Sequence, residues 1–421
     1  MHTVLLTVGD EILLGQIVNT NAAWLGERLA LAGADVRRSE TVGDEADAIA
    51  DSIRRATDDG ADLVVITGGL GPTHDDITKS VVADVFEAPL TLRQDVLDAV
   101  QARFAARGRP FPPSNRALAD VPRGFEVLDN PVGTAAGLWG ERTVDGRRQV
   151  VVMMPGVPYE MQAISEGSVL PRVRALGADE VAHRSLLTVG KGESGVAEQI
   201  GPLEAVLTEG VALAFLPSLG VVRLRLTAKG PDRAAVRRAL DLSVEAVRAR
   251  LGDLVFGEER ATLEETVGEL LVEQGATLAL AESCTGGAIA ARLTSAPGAS
   301  RFLQGGVVAY CNSVKETVLG VAPATLEADG AVSEAVALQM ARGVRARLGA
   351  DVGLSTTGVA GPTGGTEDKP VGTVWIGYAD GEGERAVRVL FTTDRAVNIG
   401  LTSTAALNLV RRQRMRPAMK A

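Results

Sequence analysis

The chain has 421 residues, 46% of them hydrophobic and 23% charged, which is the composition of globular material in about two to four domains rather than of long disorder. Asp and Glu number 53 against 43 Lys and Arg, and the net charge of −10 argues against gripping nucleic acid through general charge. Two cysteines and three histidines, with no histidine beyond His183, exclude a disulfide scaffold, a four-thiolate zinc site and a Ser-His-Asp triad built from the last 238 residues. No apolar run approaches the ~20 residues that cross a bilayer, and MHTVLLTVGDEIL lacks the basic region of a signal peptide, so a cytoplasmic protein is expected.

In chain order, residues 3–8 read as a buried strand and 20–32 as an amphipathic helix, followed by a strand at 34–41, a helix at 45–58 and a buried strand at 61–67. Strands alternating with helices predict an α/β domain over 1–170, a doubly wound and mostly parallel sheet with helices on both faces. Residues 171–256 change texture: strands at 211–216 and 221–228 and an Arg-rich helix at 231–251 suggest a small α+β connecting domain. Its block GKGES (190–194) lacks the glycine five positions before the Gly-Lys pair that a phosphate loop needs. From 257 to 421 a second α/β domain is expected. Its helices are placed at 262–274, from 286, at 333–347 and at 394–412, and its strands at 277–282, 305–311, 350–357, 371–379 and 385–391. The tail RRQRMRPAMK is taken as a solvated helix end.

Two constellations carry chemistry. In parallel sheets ligands bind beyond the carboxyl ends of the strands, where GDEILLGQIVNTN and TGGLGPTHDD fall. Gly68, Gly69 and Gly71 let backbone amides approach an anion, and Thr67 and Thr73 add hydroxyl donors. Asp10, Glu11, Asp75 and Asp76, with Glu160 from PGVPYEM, are carboxylates suited to a hard divalent cation, and Asn19 and Asn21 stand nearby. Acids beside anion-cradling glycines suit a metal-bridged phosphate or pyrophosphate. The alternative is a tight turn with Asp-Asp capping the next helix. His74 is read as solvent-facing, and Trp24 as core or ligand wall.

The second constellation is AESCTGG, which sets Ser283 at a strand-to-helix turn with Thr285, Gly286 and Gly287 at the helix start. Amides there can hold an oxyanion or a phosphate. A serine needs a base, and this domain has no histidine; a buried lysine that has lost its proton can serve, whereas arginine cannot. Of the 43 basic residues 37 are Arg, so the six lysines draw notice, and Lys79, Lys315 and Lys369 lie in or beside the motifs. Lys315 ends GGVVAYCNSVK, and Tyr310, expected to end a buried strand, could relay a proton. Thr357 and Gly358, in STTGVAGPTGGTEDKPVG, could expose amides to a substrate, and Lys369 could meet a phosphate. The other reading makes Ser283 a helix cap and Lys315 the opening of an exposed helix. Cys284 is a rival nucleophile to which a small packing role is assigned.

These motifs resemble the CinA family, the competence/damage-inducible proteins. GDEILLGQIVNTN, TGGLGPTHDD and PGVPYEM are similar to its molybdopterin-binding-like N-terminal domain, and 171–256 to its KH-like connector. AESCTGG, GGVVAYCNSVK, GAVSE, TTGVAGPTGGT and KPVGTVW are similar to its nicotinamide-nucleotide amidase module. The resemblance implies two hydrolytic activities. The C-terminal module would convert nicotinamide mononucleotide (NMN) to nicotinate mononucleotide and ammonia without a cofactor, with Ser283 as nucleophile, Lys315 as base, Tyr310 assisting, and Gly305 and Gly306 among the substrate contacts. The N-terminal domain would cleave ADP-ribose to AMP and ribose 5-phosphate with a divalent metal (Mg, Mn or Co). A pyridine-nucleotide salvage role and a homodimer are expected, with no direct nucleic-acid or membrane partner. The alternative is a non-catalytic pterin- or nucleotide-binding adaptor in competence or DNA repair.

Overall fold

The computed structural model describes residues 1–177 and 180–415. By internal contact the chain divides into two units. One holds residues 1–182 with 229–237, and the other runs from 183 to 228 and from 238 onward.

The N-terminal domain is built on a six-stranded sheet in the order β2-β1-β3-β8-β7-β6. Its strands are β1 (His2–Val8), β2 (Asp35–Val42), β3 (Leu63–Thr67), β6 (Glu126–Leu128), β7 (Gly137–Val144) and β8 (Arg147–Met154); β4 (Leu90–Leu92) and β5 (Asp120–Pro122) form a separate pair. The first four strands in that order run parallel, β7 is antiparallel to them, and β6, antiparallel to β7, returns to their direction. β1, β3 and β8 are buried on both faces, which is why they read as near-continuous apolar runs. The helices are a single turn α1 (Asp10–Leu13), α2 (Thr20–Leu31), α3 (Ala46–Asp58), α4 (Thr78–Val85), α5 (Gln94–Ala106), α6 (Pro158–Ile164) and α7 (Leu170–Leu176). α3 buries Ile49, Ile53 and Ala56 at helical spacing against Ile66 and Val151, while Leu25, Leu29 and Met161 fill the other face. Trp24 packs on that second core.

The middle segment forms a four-stranded sheet ordered β10-β11-β9-β12, from β9 (Glu180–Val189), β10 (Val211–Ser218), β11 (Val221–Gly230) and β12 (Val255–Glu258), with helices α8 (Glu193–Ile200) and α9 (Arg233–Leu251).

The C-terminal domain has a five-stranded sheet ordered β14-β13-β15-β16-β17: β13 (Leu278–Glu282), β14 (Leu303–Val308), β15 (Val352–Gly358), β16 (Thr373–Ala379) and β17 (Glu384–Leu390). Its helices are α10 (Leu263–Glu273), α11 (Ala288–Ser295), α12 (Asn312–Thr317), α13 (Pro323–Asp329), α14 (Glu334–Leu348) and α15 (Arg395–Arg414). α10 opens with a capping box, Thr262 and Glu265 each serving the other's backbone N–H. β14, β13 and β15 are parallel, and β16 and β17 antiparallel.

Three expectations change. The strand placed at 305–311 is Leu303–Val308, an edge strand with alternating burial, so Tyr310 lies beyond it and is 62% exposed. The helix expected from 286 starts at Ala288, because Gly286 and Gly287 hold φ of 61° and 100°, a left-handed turn that no helix interior accommodates. The basic tail is not all solvated: Arg411 is 1% exposed, while 416–420 fall outside the described residues. No helix among the described residues is long and apolar enough to cross a membrane.

Candidate functional sites

In the C-terminal domain, buried β13 delivers Ser283 to the carboxyl end of the sheet, where its N–H donates to the Thr356 carbonyl (2.9 Å). The serine is 8% exposed and faces a cavity of about 200 Å³ that Cys284, Tyr310, Lys315, Thr357, Gly358 and Arg395 also line. Lys315 comes from α12 and is 1% exposed; its Nζ donates to the Ala309 carbonyl (2.9 Å) and, among the described residues, to no carboxylate. Burial therefore pulls its pKa below that of a free lysine. Tyr310 stands at the rim, its hydroxyl accepting from Arg395 Nη2 (2.7 Å), and Arg395 also donates to the Gly361 carbonyl (2.9 Å). Cys284 is 7% exposed within the apolar core, and burial pushes its thiol up to about 12, which disfavours the thiolate a cysteine nucleophile needs.

Not every expected contact gathers here. Thr285, Gly286 and Gly287 do not line the cavity. The Thr285 hydroxyl pairs with that of Thr356 (2.7 Å), the Gly286 amide donates to the Ser283 carbonyl (3.2 Å) and the Gly287 amide to Glu282 (3.0 Å). Gly305 and Gly306 sit within β14 opposite Ala279 and Leu280, short of the strand's carboxyl end. The Thr357 hydroxyl donates to the Ala331 carbonyl (2.6 Å), and Lys369 turns to the Asp329 carbonyl (2.6 Å) rather than into the cavity. Lys79 is 7% exposed, hydrogen-bonded to the Ala117 carbonyl, and lines neither cavity. Of the three lysines beside motifs, only Lys315 reaches a site. The sequence reading missed Arg395 and Glu282. Arg395 left no local signal, but an acid closing the otherwise apolar LALAE did.

In the N-terminal domain a cavity of about 500 Å³ opens at the carboxyl ends of β1, β3 and β8. Glu11, Asn19, Asn21, Thr67, Gly68, Gly69, Gly71, Asp75, Asp76 and Glu160 line it, and Asp10 and Thr73 do not. A side chain at Gly68 would have its Cβ 2.2 Å from the Val8 carbonyl oxygen, at φ 102°, so the loop requires glycine there even without a ligand. Asp76 accepts from the Thr73 amide (3.0 Å) and hydroxyl, and Glu160, 8% exposed, accepts from Asn130 Nδ2 (2.6 Å). Asn21 Nδ2 donates to the Gly156 carbonyl (2.7 Å). The His74 side chain is fully exposed, 3.7 Å from Asp75. The Thr73 hydroxyl holds the Asp75 carboxyl below its usual value.

Asp44, absent from the sequence reading, joins this wall. It accepts from the Asp10 amide (3.1 Å), and burial raises its pKa, with the charges of Asp10, Glu11 and Asp75 adding to the effect. A signal existed: the pentapeptide TVGDE occurs at 7–11 and again at 41–45. The two copies end neighbouring parallel strands with Thr7 opposite Thr41, and Asn19 Nδ2 donates to both threonine hydroxyls (3.0 and 3.4 Å). Among the described residues no three His, Cys, Asp or Glu side chains converge as a ready-made metal cage. The crowded acids are all hard oxygen donors. That donor class suits a divalent cation, though the described protein groups alone do not cage one.

Comparison with known proteins accounts for all three segments. Residues 4–175 match the family described as probable molybdopterin binding domain, 183–257 the damage-inducible protein CinA KH domain, and 260–414 the CinA C-terminal domain. A CinA-like protein of Salinibacter ruber is 53% identical over 413 residues, covering 98% of this chain and 99% of that protein. A CinA-like protein of Chloroherpeton thalassium is 46% identical over 419 residues, at 98% and 99% coverage. The solved structure of CinA from Thermoplasma acidophilum, described as of unknown function, is 37% identical and covers 41% of this chain and 97% of its own, with a TM-score of 0.37. A molybdopterin-binding-like domain, a KH-like connector and a CinA C-terminal domain follow one another in that order, and the chain belongs to the CinA family.

Proposed function

We propose that the C-terminal domain hydrolyses the carboxamide of NMN and that the N-terminal domain hydrolyses the pyrophosphate of ADP-ribose. The observation that carries the first activity is Lys315: a fully buried lysine with no carboxylate partner among the described residues, sharing a small cavity with a serine, is a lysine ready to act as a neutral base. Ser283 Oγ attacks the carboxamide carbon and Lys315 takes its proton. Collapse breaks the C–N bond, ammonia leaves with that proton, and water then attacks the acyl-serine ester. A cavity of about 200 Å³ accommodates the carboxamide end of the substrate, which leaves the ribose phosphate outside, where Arg395 offers a cation at the rim.

For the second activity, support comes from the glycine loop and the crowded acids around the larger cavity. A divalent cation, when bound, would neutralise the two phosphates and polarise the phosphorus under attack. Asp75, Asp76 and Glu11, which line the cavity without forming a cage, would add oxygen ligands to those of the phosphates, with Asn21 beside the ligand. Adding water across the pyrophosphate yields AMP and ribose 5-phosphate.

The deciding experiment incubates the purified chain with NMN alone, and separately with ADP-ribose plus Mg²⁺, Mn²⁺ or Co²⁺, and identifies the products. Ammonia with nicotinate mononucleotide, and AMP with ribose 5-phosphate, are expected. Tight binding of a pterin or of DNA with neither substrate turned over would overturn the reading.

A further inference from the structure

Glu282 ends β13, directly before Ser283, and is 2% exposed. Buried carboxylates ordinarily sit against Arg or Lys. Among the described residues none donates to Glu282. Its Oε2 instead accepts from the amides of Gly287 (3.0 Å) and Ile289 (3.1 Å), and its Oε1 from that of Ala290 (2.9 Å). These belong to the first turn of α11, so the protein's own carboxylate fills the helix's anion position. An oxyanion or phosphate cannot bind there without displacing it.

The rest of the turn is nearly spent as well. The Ser283 amide donates to Thr356 (2.9 Å), Gly286 to Ser283 (3.2 Å) and Ala288 to Thr285 (3.0 Å). In this turn the amides of Cys284 and Thr285 donate to no backbone carbonyl among the described residues, and of the two residues Cys284 lines the cavity. An amide immediately after the nucleophile is where other hydrolase elbows place an oxyanion donor.

Resting on the amidase reading, we propose that Glu282 is a positioning residue. It locks the turn so that the Cys284 amide receives the carbonyl oxygen as attack by Ser283 moves the π electron pair onto it. The same carboxylate has a second effect. Together with burial, its charge opposes ionisation of the neighbouring Cys284 thiol, which leaves Ser283 as the nucleophile.

The test compares Glu282→Gln and Glu282→Asp with the wild-type chain in ammonia release from NMN, with melting temperature measured in parallel. A glutamine directs an NH₂ at a backbone N–H, so at least one of the three bonds is lost. Glu282→Gln should lower kcat by about 100-fold with KM within about threefold, as for loss of an oxyanion donor, and Glu282→Asp should recover part of it. Wild-type kcat in Glu282→Gln overturns the inference. So does a fall in kcat with KM raised well beyond threefold that aspartate fails to relieve, since that marks a merely structural role. If Glu282→Gln does not fold, Glu282→Asp decides by the same kcat-against-KM criterion. A wild-type chain that releases no ammonia ends the amidase reading itself, whereas an active wild type with an equally active Glu282→Gln ends only this inference.

Discussion

At the scale of single residues, the amidase reading turns on whether Lys315 is neutral when Ser283 attacks. Ser283→Ala should cut ammonia release by at least about 1,000-fold. Lys315→Arg keeps charge and length but cannot give up its proton, and should fall similarly. The kcat/KM for NMN should climb as pH rises through the lowered pKa of Lys315 and level off below 10.5, the reference value for lysine. A rise that completes only near 10.5 would contradict a buried base. Stability follows the same proton with a definite sign. Between the lowered folded pKa and 10.5, the unfolded chain holds a proton at Lys315 that the folded chain has released, so stability rises with pH across that window. Lys315→Met should therefore be more stable than wild type at neutral pH in urea unfolding, and its advantage should shrink as pH climbs. Ser283, Lys315 and most N-terminal cavity residues were legible because their residue types are scarce or their motifs long. Glu282 was not read, because a single acid in an apolar strand shows its partners only once the helix amides are in place. Arg395 comes from 80 residues beyond Lys315, a separation that no local pattern bridges.

At the scale of elements, legibility followed burial. Doubly buried β1, β3 and β13 stood out as apolar runs, whereas β14 was placed two to three residues too far along the chain because an edge strand with alternating burial merges into the loop after it. The hairpin β7–β8 went unassigned although Asp145 and Gly146 mark its turn, both at positive φ (49° and 76°) as a two-residue hairpin demands. The N-terminal glycine loop shows the limit of motif reading, since tight packing explains its glycines as well as a ligand does. Gly68→Ala should destabilise the N-terminal domain by about 1–3 kcal/mol in chemical denaturation, because a Cβ 2.2 Å from the Val8 carbonyl oxygen cannot be accommodated at φ 102°. Asp76→Asn removes a carboxylate that also ties Thr73, so it should abolish metal-dependent ADP-ribose cleavage while leaving ammonia release unchanged. Loss of both activities would contradict independent sites.

At the scale of the molecule, the division into two units predicts calorimetry with two transitions, one for the N-terminal domain and one shared by the connector and the C-terminal domain. The shared transition has a specific cause. Arg411 on α15 is fully buried, and its guanidinium donates to the carbonyls of Asp253 (2.5 Å) and Val255 (3.3 Å) at the connector's end and to Asn408 Oδ1 (3.2 and 3.1 Å). A chain beginning at residue 260 would lose both those carbonyls and the connector residues that cover the guanidinium. Its C-terminal domain should lose on the order of 3 kcal/mol relative to the intact chain in urea unfolding. The same helix begins at Arg395, on the rim of the serine cavity, and packs along α10 and α11. α15 follows every other element of its domain along the chain, so during synthesis it leaves the ribosome after they have emerged. Until then the carbonyls of Asp253 and Val255 lack their donor and the cavity lacks its cation. A nascent chain halted before residue 395 would hold Ser283 and Lys315 in an unfinished fold, and the proposed amidase activity would be acquired in a single step, once α15 has been made and has docked.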